Sequence, residues 1–475
     1  MKKKKKIYLL FRALMTSIVL ILIVSCSDSD DKGSYDPSKP VEFKSFSPTE
    51  GPTRTELYIT GSNFGSDASK IHVKIGGKVA KVIGSNGTTI YCMVPRRAYG
   101  GEIEIQIDDE GGNPAVEYQF EKKFKYTPIT TVTTLCGYVN ELGESSMIDG
   151  NYEKAQFDDP FWIEFDKDGE DKILYVCEHG KALRKIDLGR EDVSTVVTNG
   201  QGSFDIMQTI CYSADRDTMF FTDDNGQNTR DMVAISYALR TESFRKVYPY
   251  IYDRTTYSVI SHPKDAVLFY NTYYNAAVMK ANGQYNTEKK EWEPKQLYNV
   301  RENQGSQTKM VMHPDGRYAY LMGFNCVQKS VYDKTTQELL RPTVHVGTMS
   351  NSGYLDAPGA GARFSYIHQG VFVKNPDYVK EGKDDIYDFY LCDVDNHCIR
   401  KITPSGLVET YAGRGSVGLD EHAYGYIDGD LRKEARFYKP SGIAYDEEEE
   451  IFYISERGNW DGSVGNRRIR CISVE

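Results

Sequence analysis

Helical periodicity is nearly absent from this 475-residue sequence, and that absence argues against a helical fold. No CxxC pair occurs among the nine cysteines, so the sequence carries no signal for a zinc site. Neither an HExxH motif nor a Ser/His/Asp set stands out, and no catalytic residue, metal ligand or cofactor is predicted. The chain instead contains short runs rich in Val, Ile, Tyr, Phe and Thr, separated by Gly, Asn, Asp and Pro. This pattern predicts an all-β protein.

Long apolar runs are equally scarce, and the one present lies at the N-terminus. It extends from Ala13 to Val24, follows the basic segment Lys2–Lys6 and ends just before Cys26. A run of about a dozen residues is too short to cross a membrane as a helix, which takes about 20. A basic start, a short apolar stretch and small residues before a cut site are typical of a secretory signal peptide, here residues 1–25.

The junction Ile23-Val24-Ser25-Cys26 resembles the lipobox of bacterial lipoproteins. The resemblance implies that Cys26 becomes the acylated N-terminus and that lipid is the membrane attachment. A plain signal peptide that happens to contain Cys is the alternative. Residues 26–39 are polar and acidic, which predicts a flexible tether, and they resemble the surface-export signal of Bacteroidetes lipoproteins. These resemblances imply a lipid-anchored protein of the outer membrane that faces the cell exterior.

Positive charge is in deficit. Without residues 1–25 the chain has 52 basic and 68 acidic side chains, a net charge of −16. Phosphate binding requires a basic footprint, so nucleic acid is not an expected partner. Highly anionic polysaccharides are disfavoured for the same reason.

Residues 40–127 contain about seven short strand-like runs, as an immunoglobulin-like sandwich would. Ser-Pro-Thr-Glu-Gly-Pro occupies 47–52, Ile-Thr-Gly-Ser-Asn-Phe-Gly occupies 59–65, and a Val-Pro pair follows at 94–95. This segment resembles an IPT/TIG domain over its whole length. The resemblance implies a spacer or interaction module.

From residue 128 to 475 the chain repeats. Three clear units carry an Ala-x-Phe segment beginning at Ala155, Ala362 and Ala435, followed by an apolar run that ends in an acidic residue and by an Arg-containing run. They resemble NHL repeats, which are four-stranded propeller blades. Three weaker units lie between residues 200 and 346. Six units of about 40 to 60 residues predict a six-bladed β-propeller.

Closure of the ring can also be predicted. The unit that contains Ala362 ends in a Val-x-Thr-x-x-Gly strand at 408–413, but the last unit stops at 472–475 without one. The missing pattern occurs at the other end, from Val132 to Gly137. We therefore expect strand 131–137 to complete the last blade and to leave no open sheet edge.

The segments that lead into the inner strands supply the candidate ligand residues. Trp162 stands where the last unit has Gly442, and large side chains also occur at Tyr366, His368 and Tyr438. Aromatic rings suit stacking on sugar rings or on a partner protein. Filling of the hub between blades is the equally weighted alternative. Two tryptophans in polar loops complete the candidate set: Trp292 and Trp460.

The combined features resemble lipid-anchored surface proteins of Bacteroidetes glycan-uptake systems. This resemblance implies a non-catalytic glycan-binding protein with a glycan or a surface protein as partner. Some NHL propellers are metal-dependent lyases or lactonases, which makes an enzyme the second hypothesis, although their ligand residues cannot be assigned here. His179 and His397 occupy matching repeat positions, which favours a structural role. A protein-interaction scaffold is the third hypothesis.

Overall fold

The computed structural model describes residues 35–168, 171–202, 204–302, 304–323, 325–415, 422–458 and 465–475. The chain divides into two compact units, the first ending at Ile129 and the second running from Thr130 to Val474. The helices within the described residues lack the length and hydrophobicity of a membrane-spanning segment.

The first unit is an immunoglobulin-like β domain. Seven strands follow one hydrogen-bonded path in the order β1-β3-β6-β5-β4-β7-β8, and β2 pairs with β9 in parallel. Its strands are β1 (Glu42–Ser47), β2 (Glu50–Gly51), β3 (Glu56–Ser62), β4 (Ile71–Ile75), β5 (Lys78–Ser85), β6 (Thr89–Met93), β7 (Ile103–Asp108), β8 (Pro114–Gln119) and β9 (Lys125–Tyr126).

Alternation along these strands creates the core of the first unit. In β4, Ile71, Val73 and Ile75 are buried, whereas His72 and Lys74 are exposed. Successive side chains of a strand point to opposite faces, so one face of β4 packs on the core and the other meets solvent.

The second unit is a six-bladed β-propeller. Its strands are β10 (Thr130–Cys136), β11 (Gly150–Asn151), β12 (Pro160–Asp166), β13 (Ile173–Glu178), β14 (Ala182–Asp187), β15 (Asp192–Thr198), β16 (Met207–Tyr212), β17 (Thr218–Asp223), β18 (Val233–Leu239), β19 (Val247–Tyr252), β20 (Thr256–Ser261), β21 (Leu268–Thr272), β22 (Ala277–Asn286), β23 (Glu291–Asn299), β24 (Lys309–Met312), β25 (Tyr318–Gly323), β26 (Cys326–Asp333), β27 (Glu338–Leu339), β28 (Thr343–Gly347), β29 (Ile367–Lys374), β30 (Tyr387–Asp393), β31 (Cys398–Ile402), β32 (Val408–Gly413), β33 (Gly429–Asp430), β34 (Pro440–Asp446), β35 (Ile451–Glu456) and β36 (Arg468–Val474). Two short helices interrupt them: α1 (Asn199–Gly202) and α2 (Pro376–Lys380).

Each blade is an antiparallel sheet that begins at its inner strand. The inner strands of blades 1 to 6 are β12, β16, β20, β24, β29 and β34. Apolar side chains of neighbouring blades form shared cores, as where Ile163 and Leu174 of blade 1 pack with Ala444 and Tyr453 of blade 6. The six inner strands therefore run side by side around a central channel.

The N-terminal strand of the propeller lies beside the last strand of the chain. β10 pairs antiparallel with β36, so that Thr130 is opposite Val474 and Thr133 is opposite Cys471. Because this pairing joins the two ends of the propeller, blade 6 has a full set of strands and its sheet edge is covered.

Three blades contain the same buried ion pair. Arg184, Arg400 and Arg470 are fully buried and donate to the carboxylate that ends the preceding strand: Glu178 at 3.1 Å, Asp393 at 2.7 Å and Glu456 at 2.9 Å, respectively. The other guanidinium nitrogen donates to a second carboxylate on Asp149, Asp356 or Asp428. These three blades are the clear repeats of the sequence, and in each of them the Arg lies opposite the residue two positions before the acid.

Candidate ligand site in the propeller channel

A cavity of about 380 Å³ lies within the propeller. It is bounded by the C-terminal halves of all six inner strands and by the hairpins that follow them, for example at Lys167, Ser213 and Pro314. Its walls combine aliphatic and aromatic side chains with few charged groups. The cavity therefore occupies the half of the channel opposite to the segments that lead into the inner strands.

Trp162 and Gln369 form the inner end of this cavity. Gln369 Oε1 accepts hydrogen bonds from the backbone N–H groups of Ile163 at 3.0 Å and Ile443 at 3.2 Å. Its Nε2 donates to the Ile163 carbonyl at 2.7 Å. The side-chain amide of Gln369 in blade 5 thus links blades 1 and 6, whose inner strands are not paired with each other by backbone hydrogen bonds.

Tightly packed side chains close the channel beyond that point. Phe161, Lys309 and His368 are each only 1% exposed, and the rings of Phe161 and His368 are 4.1 Å apart between centroids. Lys309 Nζ donates to Gln208 Oε1 at 3.0 Å and to the Tyr257 carbonyl at 3.1 Å. Because these residues come from several blades and leave little exposed surface, the cavity is blind at this end.

Glu164 is the acidic group that lines the cavity. It follows Trp162 by two positions on β12, so both side chains point to the same face of the strand. Trp162 is 3% exposed and its Nε1 donates to Glu164 Oε1 at 3.1 Å. Among the described residues, Glu164 forms no ion pair. Burial raises the pKa of Glu164 to about 7, although the hydrogen bond from Trp162 and the charge of Arg216 act in the opposite direction.

Arg216 also lines the cavity, but its charge is engaged elsewhere. Its guanidinium lies 3.6 Å from Asp166, contacts Asp168, and donates to the Phe165 carbonyl at 3.0 Å. The side chain also stacks over the Tyr212 ring at 4.1 Å. These contacts leave Glu164 as the carboxyl group open to a ligand in the inner cavity.

The cavity widens at its outer end. An adjoining groove of about 730 Å³ shares Phe165, Phe372 and Tyr445 with it and runs over blades 5, 6 and 1. Charged groups border the groove, including Lys172 and Glu448. The cavity and the groove form one continuous concave surface of mixed polar and apolar character.

The structure places three of the sequence candidates together at the closed end of the channel. The His368 ring lies 5.9 Å from Trp162 and 6.3 Å from Tyr366, measured between ring centroids. The Tyr366 hydroxyl donates to Gln307 Oε1 at 3.1 Å. His368 Nδ1 lies 2.7 Å from the Ser441 carbonyl and donates to it, since that oxygen can only accept. Trp162 and His368 are thus buried, and they shape the end of the cavity from within.

The remaining candidates are dispersed. Tyr438 stacks on His397 with ring centroids 5.3 Å apart, at the start of blade 6. Trp292 is 61% exposed on the outer strand β23, where its ring lies 5.6 Å from that of Tyr285. Trp460 and Cys26 fall outside the described residues.

Sequence reasoning missed Glu164 and Gln369. For Glu164 a signal existed, because it is the lone charge inside the apolar run from Pro160 to Phe165 and follows Trp162 at strand spacing. Gln369 gave no such signal, since its partners Ile163 and Ile443 belong to distant blades. Within the described residues, no group of three or more His, Cys, Asp or Glu side chains is arranged to hold a metal ion.

Comparison with known proteins gives the family. The model of the IPT/TIG domain matches residues 40–126. An auxiliary nutrient binding protein from Bacteroides thetaiotaomicron is 35% identical, with a TM-score of 0.68, over 93% of this chain and 99% of that chain. A protein of the same description from Bacteroides ovatus is 30% identical, with a TM-score of 0.70, over 93% of this chain and 100% of that one. This chain belongs to the same family as these Bacteroides proteins.

The family also includes a differently described member. A Bacteroides thetaiotaomicron protein described as a candidate phosphatase is 32% identical, with a TM-score of 0.68, over 94% of this chain and 99% of that chain. A search of curated proteins finds no match to this sequence. Members of this family therefore carry two different functional descriptions.

Proposed function

We propose that this protein is a non-catalytic glycan-binding protein of the cell surface and that the channel cavity is its ligand site. The observation that carries the proposal is the blind cavity of about 380 Å³, with walls of mixed polar and apolar surface and, among the described residues, a carboxyl group at Glu164 that forms no ion pair. Small-molecule sites in proteins are concave, about 300 to 1,000 Å³ in volume and mostly apolar, with a few convergent polar groups. Family members described as nutrient binding proteins support a binding role.

The lining suits a sugar. The faces of a sugar ring present C–H groups that pack on aromatic rings, and Phe165, Phe372 and Tyr445 lie where the cavity meets the groove. The hydroxyl groups of a sugar are hydrogen-bond donors, which a carboxylate such as Glu164 accepts. Further sugar units would follow the groove over blades 5, 6 and 1.

The proposal includes a lipid anchor on Cys26 and a position on the outer face of the outer membrane. It is supported by the lipobox resemblance and by the acidic segment 26–39. Metabolic labelling with a palmitate analogue is expected to mark the wild type and not Cys26→Ala. Added protease is expected to digest the protein on intact cells, and protection on intact cells would contradict an outward position.

The binding proposal is tested by titration calorimetry against a panel of linear hexasaccharides from α-glucan, β-glucan, xylan, mannan and levan. Val311→Trp fills the cavity from β24, because Val311 is half-buried in its wall. Val331→Trp is the matched control, since Val331 is exposed on β26 of the same blade. At least one glycan is expected to bind the wild type and the control and to lose at least tenfold in affinity for Val311→Trp. Absence of binding across the panel, or equal affinity for both variants, would contradict the proposal.

One observation favours a second candidate, a protein-interaction role. Tyr285 and Trp292 form an exposed aromatic pair at the outer edge of blade 3, at a distance from the channel. Aromatic residues are enriched in protein interfaces. Pull-down from envelope extracts with the wild type and with a Tyr285→Ser, Trp292→Ser double variant tests this role: a partner that depends on both rings supports it.

A further inference from the structure

The channel of the propeller has one open end, and this limits how a polymer can bind. Trp162 and Gln369 stand at the inner end of the cavity, and Phe161, Lys309 and His368 fill the space behind them. A glycan chain cannot thread through a channel that is packed in this way. Only the end of a chain can reach the inner cavity.

The polar groups at the inner end of the cavity also favour binding of the end of a glycan chain. Glu164 lies beside Trp162, which holds one carboxylate oxygen through Nε1 at 3.1 Å. The other oxygen, Oε2, has no hydrogen-bond partner among the described residues. An enclosed carboxylate with acceptor capacity left over favours a ligand group that donates hydrogen bonds. The terminal sugar of a glycan carries hydroxyl groups that are used for linkage in internal units.

We propose that the propeller binds glycans end-on, with the terminal sugar in the blind cavity and its hydroxyl groups donating to Glu164. This inference rests on the proposed glycan-binding function and adds the mode of recognition. The rest of the chain leaves through the mouth that is lined by Phe165, Phe372 and Tyr445 and follows the adjoining groove.

End-on binding fixes the stoichiometry. A protein that recognises chain ends binds one copy per chain whatever the chain length, because each chain has one end of the right kind. A protein that recognises internal units binds more copies as the chain lengthens. The number of proteins per chain therefore separates the two modes without knowledge of the contacts.

The experiment is titration calorimetry with the hexasaccharide that binds best in the panel above and with the size-fractionated linear polymer of the same glycan. We expect one protein per chain for both. Glu164→Gln keeps the size of the side chain and is expected to weaken hexasaccharide binding at least tenfold. Glu153→Gln, at an exposed position of the same propeller, is the control and is expected to bind as the wild type does.

Each possible result of these titrations tests a different part of the proposal. More proteins per polymer than per hexasaccharide would overturn the end-on mode and leave glycan binding intact. One protein per chain with unchanged affinity for Glu164→Gln would overturn the role of Glu164. Failure of every panel glycan to bind would overturn the proposed function and this inference with it. Circular dichroism establishes that Glu164→Gln is folded, and Val311→Trp provides a second, independent block of the same cavity.

Discussion

Thr134 and Asp428 are 294 residues apart in the chain, and yet the Thr134 backbone N–H donates to Asp428 Oδ2 at 3.1 Å. The Thr134 hydroxyl reaches Oδ1 of the same carboxylate at 3.2 Å, and Arg470 donates to it at 2.6 Å. The same arrangement joins Thr195 to Asp149 in blade 1 and Thr410 to Asp356 in blade 5. β10 thus replaces the outer strand of blade 6, and its Thr134 forms the same contact with an aspartate as Thr195 and Thr410 form in the outer strands of blades 1 and 5.

Loss of this contact weakens ring closure. Asp428→Ala removes the acceptor of Thr134 and one of the two carboxylates of buried Arg470. We expect a loss of about 1 to 3 kcal/mol in the free energy of unfolding, measured by urea denaturation. Asp377→Ala, which removes an exposed partner of Lys380, is the control and is expected to change stability by less than about 0.5 kcal/mol. Equal effects of the two variants would contradict the closure contact.

The buried ion pairs predict a larger effect. Arg400 and Asp393 are both fully buried, and Arg400→Met leaves Asp393 as an enclosed carboxylate without its cation. Removal of one partner of a buried pair destabilises by about 3 to 5 kcal/mol. Urea denaturation of Arg400→Met is compared with Lys380→Met at the protein surface. A loss below about 1 kcal/mol for Arg400→Met would show that the pair is not enclosed in solution.

Gln369 is expected to matter for stability as well as for the shape of the cavity. Gln369→Leu is close in size but leaves two backbone N–H groups and one carbonyl, on Ile163 and Ile443, without their partner. Each buried unsatisfied group costs about 1 to 3 kcal/mol, and local relaxation recovers part of that, so we expect a loss of about 3 kcal/mol. Gln284→Leu, at an exposed position on β22, is the control. Identical unfolding midpoints for the two variants would contradict the bridging role of Gln369.

The raised pKa of Glu164 predicts that the free energy of unfolding depends on pH. Its pKa of about 7 in the folded protein exceeds the value of about 4.3 in an unfolded chain, so the folded state binds the extra proton between these pH values. The contribution of Glu164 to stability is therefore full below about pH 4 and is lost as the pH rises through 7. Glu164→Gln does not titrate, and it is expected to gain about 1 to 3 kcal/mol relative to the wild type between pH 4.5 and pH 8. Parallel pH profiles of the two proteins would contradict the raised pKa.

The all-β class and the six-bladed ring were predicted from the sequence and are confirmed, because blades repeat locally. In blades 1, 5 and 6 the acidic residue and the arginine lie on neighbouring strands of one sheet, in the same cross-strand register. The channel was harder to predict. Its inner end is formed by Trp162 and Gln369, with Lys309 packed behind them. These residues come from three blades, and no sequence spacing relates them.

The position of the ligand-binding face could likewise not be predicted from sequence spacing. The large side chains at Trp162 and His368 marked the segments that lead into the inner strands, but the structure buries both of them. The cavity opens instead where the inner strands end, near Phe165 and Tyr445. Which end of a channel is filled depends on how side chains from all six blades pack together.

The most direct test of the account is a crystal structure of the protein with the bound panel hexasaccharide. The account predicts a terminal sugar in the blind cavity, with a hydroxyl group within hydrogen-bond distance of Glu164 and with further units in the groove over blades 5, 6 and 1. A hexasaccharide bound at the opposite end of the channel beside Tyr366, or outside the propeller, would contradict it.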